Sequence, residues 1–140
     1  MPKVLLTFVG FHDPHYKGAV EGEELKGPNL YLLGLRGFDR VYLFTGANTL
    51  PIARDTAAAI VHDHPEVDAQ VSPIELDDPI SYRQIIAGVR RAFRRIRAEN
   101  DGAEYFISTA SGTPQMHAAW LLLAASGEIP AVVLQTRPPQ

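Results

Sequence analysis

The run Ser108-Thr109-Ala110-Ser111-Gly112-Thr113-Pro114 sets four hydroxyl side chains and a glycine directly before an apolar helical stretch. Thr113 suits an N-cap, and Pro114 suits the first helical position, where its missing N–H would have gone unpaired anyway. A helix start of this kind offers free N–H groups and a positive dipole end, the chemistry of a phosphate or carboxylate site. His117 falls in the first turn of that helix. It could serve as a general acid or base at a phosphate, or stay neutral beside the dipole and only hydrogen-bond. A second polar cluster, Gly10-Phe11-His12-Asp13-Pro14-His15-Tyr16-Lys17-Gly18, follows the first apolar run. His12, Asp13 and His15 are residue types that hold divalent metals. With Pro14 between them they read more readily as a turn, and no metal site is expected.

Both clusters sit at the ends of strands. Lys3 to Val9 is almost continuously apolar, as in a strand covered on both faces, and Tyr105-Phe106-Ile107 is a short run of β-formers. Arg40–Thr45 (RVYLFT) is another strand, closed by the polar turn Gly46-Ala47-Asn48-Thr49. Val67–Leu76 alternates, and Pro73 demotes its end to a sheet edge. Ile129–Gln135 is the last strand. Helices are expected from Pro28 to about Leu35, from about Pro51 to His64, from Ser81 to Glu99, and from Pro114 to the Ser126-Gly127 stop. The Ser81–Glu99 helix sets an apolar stripe against six arginines, a pattern more typical of a solvated face than of a nucleic-acid grip.

Five strand signals alternating with four helix signals predict an α/β fold, a Rossmann-like three-layer sandwich. Its sheet is mainly parallel, of five to six strands, with helices on both faces. In strand order 3-2-1-4-5 the first and fourth strands flank the point where the order reverses, and ligands of such folds bind outside the carboxyl ends there. That places the Gly10–Gly18 loop beside the Ser108–Thr113 turn. The 140 residues suffice for one domain, and the formal charge of −3 argues against long DNA or RNA as a partner. The absence of Cys excludes disulfides and thiolate metal sites, in keeping with a cytoplasmic location. The longest apolar run, Ala118–Ala125, is far short of a membrane span. Apolar residues wrap the whole of Met116–Ala125, so the far side of that helix needs a cover, and a second copy of the chain would supply it.

The segments KVLLTFVGFHDP, FDRVYLF and YFISTASGTPQMHAAWLLLAASGEIPAVVLQTRPP together resemble the CARF domain, the CRISPR-associated Rossmann-fold sensor. The nearest subgroup is related to the N-terminal sensor of regulators of RNA-repair operons, in which a turn of the type S-x-G-T-P-x-M-H recurs. The resemblance covers residues 1–137 as one ligand-sensing domain, with 138–140 as the start of a linker or tail. It implies a homodimer that binds a cyclic tetra- or hexa-adenylate across its twofold axis and controls a fused or separate effector in type III CRISPR defence. By position, the ligand-binding residues would be Gly10, Phe11, His12 and Asp13 with Ser108, Thr109, Ser111, Gly112, Thr113, Gln115, Met116 and His117. Thr45, with Asn48 and Thr49, would be accessory. The resemblance leaves open a metal-independent ring nuclease, in which a ribose 2′-OH attacks the adjacent phosphate beside Ser111, Thr113 and His117. A third reading is an RNA-end or nucleotide sensor of a transcription regulator. No cofactor is expected.

Overall fold

The computed structural model describes residues 1–18 and 22–135. Five parallel strands, β1 (Lys3–Phe8), β4 (Arg40–Thr45), β5 (Asp68–Pro73), β6 (Glu104–Ser108) and β7 (Ala131–Leu134), form one sheet in the order β5-β4-β1-β6-β7. This is the order 3-2-1-4-5 taken above for the five main strands. Helices α1 (Pro28–Leu35), α2 (Leu50–Asp63), α3 (Tyr82–Glu99) and α4 (Pro114–Ala125) complete the layers, with a short 3₁₀ turn at Ala47–Thr49.

Alternation along the strands divides the core. Val4, Leu6, Phe8, Tyr42, Phe44 and Ile107 face α3 and α4, while Leu5, Val41, Leu43 and Phe106 face α1 and α2. On the first face the indole of Trp120, fully buried, packs against Phe8 and Phe44 with ring centroids 5.5 and 5.2 Å away. Its N–H has no partner among the described residues. α3 is amphipathic as its spacing predicts, with Ile85, Val89, Phe93 and Ile96 buried and a Ser81 N-cap accepting from the Gln84 N–H at 3.3 Å.

α4 carries two opposed stripes at helical spacing. Met116, Ala119, Trp120 and Leu123 are buried against the sheet, and Ala118, Leu121, Leu122 and Ala125 are exposed. Leu122 is 55% and Leu121 47% exposed, and Val132 on the neighbouring edge strand is 51% exposed.

At the other edge the position of Pro73 has a simple cause. The Asp68 N–H donates to the Asp39 carbonyl and the Ile74 N–H to that of Thr45, so even-numbered residues of this stretch turn their N–H inward toward β4. Pro73, of odd number, lacks an N–H only on the side where no strand would receive it.

Two three-residue strands, β2 (His15–Lys17) and β3 (Glu24–Lys26), pair antiparallel in the first loop. Sequence spacing gave no sign of them, because three residues are too few for a period and Glu24 and Lys26 are exposed on both sides of Leu25. Ile129, expected in the last strand, instead belongs to the turn before β7, where its N–H donates to the Leu123 carbonyl. The 138–140 tail lies outside the described residues, as does the end of the domain at Arg137.

Candidate functional site

β1 and β6 lie side by side with Thr7 opposite Ser108, so their carboxyl ends release the two polar loops next to each other. The loops touch through glycine. A Cβ on Gly10 would stand 3.1 Å from the Gly112 nitrogen, and Gly112 itself has φ +100, a region that side chains rarely occupy. A Cβ there would also fall 2.8 Å from the Met116 Sδ and 3.2 Å from the Phe8 Cβ. Gly112 is therefore required by the turn, before any ligand is considered.

Asp13 ties the region together. Its carboxylate, 4% exposed, accepts from the Gly10 N–H (3.0 Å), the Asn29 N–H (3.2 Å), the Asn29 Nδ2 (3.1 Å) and the Ser111 hydroxyl (2.7 Å). Asn29 in turn donates from Nδ2 to the Phe8 carbonyl at 3.1 Å, and its Oδ1 accepts from the Thr7 hydroxyl at 2.7 Å. One buried network thus joins β1, the first loop, the start of α1 and the β6–α4 turn. Burial pushes the Asp13 pKa up from its ordinary value, opposed by the Ser111, Gly10 and Asn29 hydrogen bonds. Gly27 lets the loop pass the entry to α1, because a Cβ there would collide with the His12 carbonyl oxygen.

Above this network lies a cavity of about 360 Å³. The first loop contributes Gly10, Phe11 and His12 to its walls, and the α4 turn contributes Ser111, Gly112, Thr113 and Met116. Asn48 and Thr49 come from the 3₁₀ turn after β4, and Pro28 and Pro79 close it. Phe11 is 82% exposed at the rim. His12 is exposed and stacks on Tyr16, with centroids 5.1 Å apart. Among the described residues no acceptor receives the N–H of Gly112 or Gln115, so the α4 start offers free donors as its position implies.

The remaining expected residues stand behind the walls. Asp13 faces away from the cavity. Thr45 is buried and shares its hydroxyl between the Gly46 carbonyl (2.8 Å) and the Thr49 hydroxyl (2.6 Å), which places Thr49 at the surface of the cavity. The Ser108 hydroxyl is buried and accepts from the Ala110 N–H at 3.3 Å, and Thr109 is half-buried outside the cavity lining. Gln115 buries its Oε1 without a partner among the described residues. His117 also lies outside the lining, and its Nε2 meets the Ser111 carbonyl at 2.9 Å. A carbonyl only accepts, so Nε2 carries the proton. The side chains of His12, Asp13 and His15 diverge: His12 to Tyr16, Asp13 into the network, and His15 to Glu24 at 3.4 Å.

Sequence reasoning missed Asn29 and Pro79. An amide among Pro28, Leu30, Leu32 and Leu33 at a helix start is a signal of a buried partner, though not of which one. Nothing local marks Pro79.

A family model described as "RtcR: Regulator of RNA terminal phosphate cyclase" matches residues 32–140. The chain belongs to this RtcR family. The transcriptional regulatory protein RtcR of Escherichia coli (strain K12) is 26% identical over 102 residues, covering 73% of this chain. The matched region is 19% of that protein's length. Enterococcus italicus Csm6, solved bound to cyclic hexa-2′-fluoro-hexa-dAMP, superposes with a TM-score of 0.81 at 19% identity, over 99% of this chain and 34% of its own. A type III CRISPR defence DNA nuclease, described as activated by cyclic oligoadenylate, superposes with a TM-score of 0.53 at 19% identity, over 85% and 16%. The RtcR-family chain has the CARF fold, as the sequence resemblance implied. Among its described residues no helix is long and apolar enough to cross a membrane.

Proposed function

We propose that this chain is a sensor domain that binds a cyclic oligoadenylate across a homodimer and passes the signal to an effector. The observation that carries the reading is the cavity at the reversal of strand order, where the turn into α4 brings the Gly112 N–H, without an acceptor among the described residues, beside an exposed aromatic ring. A phosphate suits the N–H of Gly112, and an adenine suits the face of Phe11. The solved relatives named above carry or respond to such ligands on the same fold.

The exposed stripe Ala118, Leu121, Leu122, Ala125 supports the dimer. It begins about 7 Å of helix beyond Thr113, so a second copy packed on it stands close enough to share one ring. Binding fits the geometry better than ring cleavage. The Ser111 hydroxyl is committed to Asp13 and the His117 Nε2 to the Ser111 carbonyl, which leaves neither free to move a proton at the ring.

The family description favours a second reading, in which the cavity senses an RNA end for a transcription regulator. Calorimetry with cyclic tetra- and hexa-adenylate, followed by chromatography of the nucleotide, separates these readings. One intact ring per two chains is the expected result. Linear product would establish a ring nuclease instead. Heat with a short RNA carrying a terminal phosphate, and none with either ring, would transfer the site to RNA-end sensing.

A further inference from the structure

The Thr113 hydroxyl has one proton to give, and the protein already uses it. Its oxygen caps α4 by accepting the Met116 N–H at 3.3 Å, and its proton goes to the Pro79 carbonyl at 2.9 Å. A phosphate oxygen at neutral pH offers only acceptors, so a phosphate that engages this hydroxyl must take the proton from Pro79.

The segment so held has few other ties. The Asp77 and Asp78 N–H groups both donate to the Gln84 Oε1 (3.3 and 3.2 Å), the Ile80 N–H to the Asp78 Oδ1 (3.2 Å), and the Ser81 N–H to the Asp78 carbonyl (3.0 Å). All of these lie within the stretch from Asp77 to the first turn of α3. Among the described residues, the bond from Thr113 alone links Asp77–Ser81 to a different part of the fold by hydrogen bonding. Asp77 to Ile80 are exposed, so little apolar burial adds to it. The segment is also a wall between two cavities. Pro79 lines the 360 Å³ cavity, whereas Asp77 and Ser81 line a groove of about 930 Å³ with Arg83, Arg91 and Arg95.

We propose that the Thr113–Pro79 hydrogen bond is a latch that a phosphate-bearing ligand opens, which frees the Asp77–Ser81 segment and reshapes the arginine-lined groove behind it. The inference rests on the reading of the smaller cavity as a phosphate-ligand site. It gives that site an output: a rearranged wall on the opposite side, between the start of α3 and the end of β5.

Amide hydrogen exchange on the whole chain tests this in two arms. In the first, saturating cyclic hexa- or tetra-adenylate is added to the wild-type protein. Exchange at Asp78, Ile80 and Ser81 is expected to rise on the order of fivefold, the factor that corresponds to one net hydrogen bond. Exchange across Ser111–His117 should fall. Protection of both stretches together would overturn the latch.

The second arm needs no ligand. Thr113→Asp keeps an oxygen to cap α4 but cannot donate to Pro79, and Thr113→Ser keeps both. The Asp variant is expected to exchange faster at Asp78–Ser81 with the first turn of α4 still protected, and the Ser variant to match wild type. Unchanged exchange at Asp78–Ser81 in the Asp variant would overturn the proposal. Should neither ring bind wild type, the functional reading falls, and the latch is decided by this arm alone. Should Thr113→Asp fail to fold, the ligand arm decides it.

Discussion

Replacing Asp13 by Ala is the most telling perturbation of this molecule, because four donors converge on that carboxylate. The Ser111 hydroxyl can rotate to another acceptor, and the Asn29 Nδ2 keeps the Phe8 carbonyl. The backbone N–H groups of Gly10 and Asn29 cannot move without moving the chain. Each buried donor left without an acceptor costs about 1–3 kcal/mol, so the two together cost about 2–6 kcal/mol. Relief of the carboxylate's own desolvation offsets part of this, leaving a loss of about 3 kcal/mol. For a domain of this size that is a fall in Tm of about 10 °C. Urea unfolding of Asp13→Ala, Asn29→Ala and the double variant measures both the loss and the coupling. A coupling near 2 kcal/mol is expected, since each single change already breaks the shared bond. A single-variant loss below about 1 kcal/mol, or fully additive losses, would refute the claim that one network holds the two loops together.

The same carboxylate sets a pH dependence. Its folded-state pKa lies above the ordinary 3.8, so the extra stability that comes with its protonation is complete below that value and is lost as pH rises through the window up to the folded pKa, while the hydrogen bonds to the carboxylate persist above it. Asp13→Asn should abolish that slope in a pH series of unfolding curves. Gly112→Ala should cost about 1–3 kcal/mol in thermal unfolding, because a side chain at φ +100 is strained and meets Met116 and Phe8. Leu121→Asp combined with Leu122→Asp should convert a dimer to a 15.4 kDa monomer in sedimentation equilibrium without lowering Tm by more than a few degrees, as both side chains are exposed in the single chain. Phe11→Ala should weaken cyclic oligoadenylate binding by about 1–3 kcal/mol in calorimetry if an adenine stacks on that ring, while stability stays unchanged because the ring is 82% exposed.

Period and punctuation carry much of this fold. Continuous apolar runs at Lys3–Val9 and Arg40–Thr45 announce strands covered on both faces, and Thr113-Pro114 and Gly127 mark the ends of α4. The parallel sheet followed from the alternation of element types, and the order 3-2-1-4-5, taken as that of a Rossmann-like sheet, brought the two polar loops together. Residue type alone could not say which way a side chain turns once there. Asp13 and Asn48 look equally suited to a ligand in the sequence, yet one is spent on three internal partners and the other lines the cavity. Asn29 is sixteen residues from Asp13 and Pro79 is thirty-four from Thr113, and no local pattern encodes contacts at such separations. The β2–β3 hairpin was illegible for a different reason, since three residues of mixed polarity give no period to read.

Trp120 is the sole tryptophan of the chain, and it lies fully buried between Phe8 and Phe44, its N–H without a partner among the described residues. An indole in such surroundings emits toward the blue, and its signal comes from a single site. That site is on the inner stripe of α4, the helix whose first turn faces the cavity and whose outer stripe is bare. The protein thus carries its own optical gauge on the helix where the proposed ligand and second copy would bind, readable at submicromolar concentration without a label.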